Sequence, residues 1–234
     1  MKKFIISCIF LIICAVVVFF LGWVQLTVPN GSVAVFMSKT SGIDPKPIQA
    51  GSFSWRWEKL LPTNTEIRTF SIFPVEVESK IEGTLPSAEI YREFLEGRPD
   101  FSYEFIIQSQ IKLKDSALPQ FVRRTNALGQ EELNTFLEKE GKKINASAIS
   151  LILEESEKNT GRFSIDSKDL IKRLEENNPE IEILSFEIVK QKMPDIEIYL
   201  LAKEAYFNYQ DAVRNSLTEL AKDEASKSAQ DFLQ

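Results

Sequence analysis

The 234-residue chain contains no histidine. That removes the Ser-His and Cys-His nucleophilic mechanisms, the histidine zinc sites and the usual general base near neutral pH. Cysteine is nearly as scarce: Cys8 and Cys14 are the only two, and both lie inside one apolar run. Everything beyond that run therefore lacks a disulfide, a thiol nucleophile and a cysteine metal site. No Gly-x-Gly-x-x-Gly, phosphate loop, Gly-x-Ser-x-Gly or calcium loop occurs. A basic surplus is missing as well. The formal net charge of −6 includes Lys2 and Lys3, so the part beyond the run carries −8. An acidic body argues against nucleic acid as a partner and against broad electrostatic binding to anionic lipid.

What is present begins with that run. Residues 4–24 are apolar except for Ser7 and Gly22. As a helix they extend about 32 Å, enough to cross a hydrocarbon core of roughly 30 Å. A cleaved signal peptide is the main rival, but its apolar region is about 7–15 residues and ends in a small-x-small site. Leu21-Gly22-Trp23-Val24-Gln25 offers no such site. Acylation at Cys14 is a further alternative; the preceding Ile13 is bulky and the apolar run continues past it. The reading is an uncleaved anchor, residues 1–24. Lys2 and Lys3 precede the run and the next basic residue is Lys39. The positive-inside rule then places the N-terminus in the cytoplasm and the body outside it, periplasmic if the membrane is a bacterial inner one.

Residues 25–193 read as an α+β domain of antiparallel strands plus helices. Strands are expected at 32–38, from Gly51 through the alternating Phe53, Trp55 and Trp57, and at 66–82 with a change of apolar phase near Phe73-Pro74. The clearest strand is 101–114, where Phe101, Tyr103, Phe105, Ile107, Ile111 and Leu113 alternate with mostly polar residues. Residues 39–50 read as a loop. Asp115-Ser116 is the expected cap of the next helix. Helices follow at 131–158, with Gly141 bending or dividing it, and at 167–177. The last strand is 181–189. From Pro194 to the end no glycine or further proline breaks a helix, so residues 194–234 read as a long helical, coiled-coil-like tail.

Several of these pieces in order resemble the SPFH or band 7 superfamily: stomatins, prohibitins, flotillins and the bacterial protease-modulator subunits. The anchor leads into Val28-Pro29-Asn30-Gly31-Ser32-Val33-Ala34-Val35. Ala50-Gly51-Ser52-Phe53 is similar to the family's glycine before an aromatic strand. The strand at 101–114, Glu131-Glu132-Leu133, and the strand at 181–189 followed by Met193-Pro194 and a long helix complete the match. Two features depart from the family: Pro179-Glu180 stands where a glycine precedes the last strand's isoleucine, and the tail is shorter. The resemblance implies a non-enzymatic scaffold without cofactors. It implies a homo-oligomer, or a hetero-oligomer with SPFH siblings, at the lipid bilayer, modulating membrane-protein quality control or a membrane AAA protease.

Candidate chemistry is thin. Ser109-Gln110-Ile111-Lys112 has the spacing of a Ser-Lys dyad, but residues three apart on a strand face opposite ways. The pairs Glu131/Glu132, Glu154/Glu155 and Glu175/Glu176 diverge on helices and read as solvated faces, unlike the converging carboxylates of a glycosidase. Asp195 and Glu197 near a helix start read as partners of the macrodipole. Two sets of residues point to interactions instead. Trp23, Phe53, Trp55 and Trp57 are membrane-contact candidates, since tryptophan favours the bilayer interface; a half-buried strand face in the core is the alternative. Tyr199, Ala202, Tyr206, Tyr209, Val213, Leu217 and Leu220 recur every three or four residues, forming an apolar stripe read as an oligomer seam. Folding back of the stripe on its own domain is the alternative there. At the level of function, the rivals are a membrane-tethered hydrolase with an unrecognised site and a monomeric anchored ligand-binding domain.

Overall fold

A computed structural model describes residues 2–24, 28–61, 63–158 and 166–231 of the chain. The start of the body at Gln25, the expected break at Pro62 and the last residues of the tail, 232–234, lie outside the described residues. The element order is α1 (Lys2–Gly22), β1 (Ser32–Ser38), β2 (Gly42–Ile43), β3 (Ile48–Gln49), β4 (Thr65–Ser71), β5 (Val75–Thr84), α2 (Ala88–Tyr91), β6 (Ser102–Leu113), α3 (Leu118–Thr125), α4 (Gln130–Lys158), α5 (Ser167–Asn177), β7 (Ile181–Lys192) and α6 (Ile196–Asp231). The architecture is α+β. α1 is long and apolar enough to cross a membrane, and its side chains are almost all exposed.

The chain divides into two compact units. One holds Met1–Glu78, Gln108–Asn145 and Ile171–Glu187; the other holds Ser79–Ile107, Ala146–Leu170 and Ile188–Gln234.

In the first unit β1 pairs antiparallel with β2, β3 and β4, and its register with β4 runs from Ser32↔Ser71 to Ser38↔Thr65. Val33, Ala34, Val35 and Phe36 are all buried in succession, as in a strand covered on both faces. Val24, Val28, Ala34, Phe36 and Ile48 form one cluster beneath it. The expected loop at 39–50 therefore contributes two short strands, which two-residue pairings leave invisible to periodicity. The phase change near Phe73-Pro74 is a strand break. β4 and β5 belong to different sheets, so their apolar phases answer to different cores.

Arg68 on β4 is buried and reaches the end of α3. Its Nη1 donates to the carbonyls of Asn126 (3.3 Å) and Ala127 (2.7 Å) and to Asn126 Oδ1 (3.3 Å). Asn126 ends that helix in the left-handed region, φ 53°, a conformation asparagine tolerates better than most residues. The expected cap at Asp115-Ser116 is absent. Those residues open a 3-10 turn, Asp115–Ala117, that runs directly into α3, and no side chain caps it. Asp115 accepts a hydrogen bond from Gln49 Nε2 instead (3.0 Å).

The second sheet has the order β5-β6-β7. Residue pairs fix the antiparallel sense of β6 and β7. Lys112 meets Glu182 (3.2 Å) in the first unit; Glu104 meets Lys190 (3.1 Å) in the second. β6 shows the expected alternation, with Phe105, Ile107, Ile111 and Leu113 buried. Ser109 is buried among them, its hydroxyl directed at the Val77 carbonyl (3.5 Å), while Lys112 pairs with Glu182. The two members of the Ser-x-x-Lys spacing thus face different surroundings. α4 is continuous through Gly141. A Cβ at Gly141 would lie 2.7 Å from Val77 Cγ2 and 3.1 Å from Ile111 Cδ1, so this glycine lets the helix sit close on the sheet.

Candidate functional site

The first candidate lies where α1 ends. The last carbonyls of any helix have no partner within it, and in or near a bilayer each must find one. Here the segment after β3 supplies them. Trp55 Nε1 donates to the Phe19 carbonyl (3.1 Å), the Arg56 backbone N–H to the Gly22 carbonyl (2.9 Å), and Lys59 Nζ to the Trp23 carbonyl (2.9 Å). The Val24 N–H donates to the Ser54 carbonyl (2.9 Å), and Trp23 and Trp55 form an isolated antiparallel bridge.

Rings complete the junction. Phe53 stacks on Phe19 with centroids 6.0 Å apart and meets Trp23 edge-on at 5.5 Å. The Trp55 indole lies over Gly22, where an added Cβ would be 2.3 Å from Nε1; only glycine permits that approach. Arg56 pairs with Asp44 and sits over the Phe36 ring at 5.9 Å. The C-terminal end of α1 is therefore held by the segment 53–59 through hydrogen bonds and stacking, and Arg56 links that segment to Asp44 and to Phe36 of β1.

Three of the four expected membrane-contact residues, Trp23, Phe53 and Trp55, come together in this cluster. Trp57 opens a 3-10 turn, Trp57–Leu60, beside it. Phe53, Trp55 and Trp57 are 62 %, 37 % and 52 % exposed, so they are not a core face. The expected strand through them does not form. Their alternation serves the end of a helix, which a period of two cannot distinguish from a sheet. Sequence reasoning missed Phe19, Gly22, Arg56 and Lys59. Gly22 was visible as the break in an apolar run, but nothing indicated what packs on it.

The second candidate is the stripe on α6, within the second unit. Asp195 Oδ1 accepts the Ile198 N–H (3.1 Å) and so caps the helix start. Tyr199, Ala202 and Ile196 are buried with Leu85, Ala88, Tyr91 and Phe101. The Tyr199 hydroxyl donates to the Pro86 carbonyl (2.8 Å). Burial, then the nearby Glu157 carboxylate and Tyr91, push its pKa up to about 12. Tyr206 meets Tyr91 and Phe94 with centroids 5.3 and 5.4 Å apart, and Tyr209 meets Phe94 at 5.5 Å.

The N-terminal half of the expected seam therefore packs on its own unit. This corrects the reading of Tyr199, Ala202 and Tyr206 as lateral contacts. An apolar stripe records that a face is covered and carries no sign of whether the cover is the same chain. The second half differs. Val213, Leu217 and Leu220 continue the same face and are exposed, Leu217 and Leu220 by 62 % and 61 %. Tyr209 marks the transition, half exposed with one ring contact.

No family model matches the chain. A protein of Treponema pallidum (strain Nichols), described as uncharacterized, is 26 % identical over 215 residues, covering 89 % of this chain and 73 % of that protein.

Proposed function

We propose that this chain is a non-enzymatic, membrane-anchored scaffold of the SPFH type. It assembles with copies of itself or with sibling subunits and modulates membrane-protein quality control, with a membrane AAA protease as the partner that the resemblance suggests. The observation that carries the reading is the exposed second half of the α6 stripe. Val213, Leu217 and Leu220 extend an apolar face beyond the surface that its own unit covers. An isolated solvated helix has no use for such a face, whereas a helix packed against neighbours does.

The junction at the anchor supports the membrane part of the reading. Phe53 and Trp55 touch Phe19, which lies inside the apolar run, about 4.5 Å along α1 from its last residue, Gly22, by the rise per residue. A segment that reaches that level enters the interfacial layer of the membrane that α1 crosses, where tryptophan is favoured.

In this account Lys2 and Lys3 stay cytoplasmic and the body lies on the other side. A reporter enzyme active only outside the cytoplasm is expected to be active when fused after Gln234. Activity of a cytoplasmic reporter at the same position, or a mature chain that starts beyond Val24, contradicts the orientation.

A further inference from the structure

The junction at the end of α1 holds a cation whose charge the cap leaves unmatched. Lys59 is half-buried, and its ammonium donates to the Trp23 carbonyl (2.9 Å). An ammonium has three donors, and this bond takes one. Among the described residues Lys59 pairs with no carboxylate. Arg56 differs, since it is committed to Asp44. Glu58, next to Lys59 in sequence, is buried, and its carboxylate accepts the Ser41 hydroxyl (3.1 Å).

The bond to Trp23 also sets the level of the charge. The apolar run ends at Val24. Its length as a helix, about 32 Å, matches a hydrocarbon core of roughly 30 Å, so the boundary with the headgroups falls close to Trp23. The Lys59 ammonium therefore stands at the depth of the lipid phosphates. Trp57 opens the same 3-10 turn, Trp57–Leu60, and is exposed. Its indole N–H has no acceptor among the described residues, whereas that of Trp55 is taken by the Phe19 carbonyl. A lysine and an exposed indole in one turn are the amphipathic side chains favoured at headgroup level.

A phosphodiester matches what Lys59 has left. It carries one negative charge and two acceptor oxygens, and its hydrogen bonds with an ammonium are charge-assisted. We propose that Lys59 binds the phosphodiester of one phospholipid headgroup at the end of α1, with Trp57 in the same layer. The inference rests on the membrane reading above and gives that contact a ligand. Because the body as a whole is acidic, the cation acts as a single point and not as part of a basic surface.

The test is native mass spectrometry of the full-length protein, extracted in a mild detergent and freed of lipid. Dioleoyl phosphatidylglycerol is added, and the lipid retained per chain is counted. One per chain is expected. Dioleoylglycerol, with the same acyl chains and no phosphate, is expected not to be retained. Lys59→Gln keeps a donor for the Trp23 carbonyl but removes the charge, and retention is expected to fall at least about tenfold. Lys59→Arg is expected to keep the lipid. Inorganic phosphate at millimolar concentration is expected not to displace it. Equal retention by Lys59→Gln, or of dioleoylglycerol, overturns the proposal. Displacement by inorganic phosphate also overturns it, since the cation then serves a free anion. Quenching of tryptophan emission by lipid brominated on the acyl chains separates the two readings. No retention with quenched emission overturns the headgroup site alone. No retention with unquenched emission overturns it together with the membrane contact.

Discussion

Replacing Tyr209, Val213 and Leu217 with glutamate is expected to dissociate the assembly while leaving the subunit folded. All three lie on the continuation of the α6 stripe, past the cluster around Tyr199. In a lone subunit these positions are at least partly solvated, so three carboxylates there cost little stability; surface changes away from special features stay within about 0.5 kcal/mol each. In an assembled seam each carboxylate is taken from water without a partner, at several kcal/mol per charge. The asymmetry decides the readout. Thermal melting of the extracted variant is expected to shift by a few degrees at most, while its particle mass falls to that of a monomer. If the mass stays at the wild-type value, the stripe is not the seam. If the variant unfolds, the stripe is covered by its own chain.

The second large effect concerns the junction. The chain has three tryptophans, and all three, Trp23, Trp55 and Trp57, lie at the end of α1. In proteoliposomes made with phospholipid brominated on the acyl chains, most of the tryptophan emission is expected to be quenched. Emission that is unquenched places all three in water and contradicts the membrane contact. The variant Trp55→Ser removes the donor to the Phe19 carbonyl and empties the surface over Gly22. An unsatisfied carbonyl at membrane depth costs several kcal/mol, so the junction is expected to loosen and amide exchange at 53–59 to rise. Trp57→Ser, at an exposed site with no backbone bond through its indole among those described, is expected to change exchange little. Equal effects of the two substitutions would sink the distinction between them.

Much of what was legible in the fold carries a strong period over many residues. β6 was readable because Phe105, Ile107, Ile111 and Leu113 alternate over a full strand, and α5 emerged with the expected limits of 167–177. β1 was found instead as a short continuous apolar run, and β7 runs three residues past its expected end. Elements fixed by a pairing strand or a packed neighbour, with no period of their own, were not legible. β2 and β3 consist of two residues each and exist because β1 pairs with them. Gly141 suggested a bend from propensity alone, yet its role is the close approach of Val77. The helix is unbroken because the packing there outweighs the weak cost of glycine.

The candidate sites follow the same division. Trp23, Phe53 and Trp55 stood out in the sequence, and they do meet at the junction. Their arrangement was misread, since alternation at Phe53, Trp55 and Trp57 suggests a strand and the structure gives a cap on the anchor helix. On α6 the stripe was read at full length. What covers it changes partway, at Tyr209, and an apolar period is identical on both sides of that point. Only the position of Phe94 and Tyr91, more than a hundred residues away, separates the two halves.

Assembly is the central claim, and particle mass tests it most directly. The untagged full-length chain, extracted from native membranes in a mild detergent and measured by mass photometry, is expected to give one dominant species at a high multiple of 26.7 kDa. A dominant species with the mass of one chain and its detergent would contradict the account.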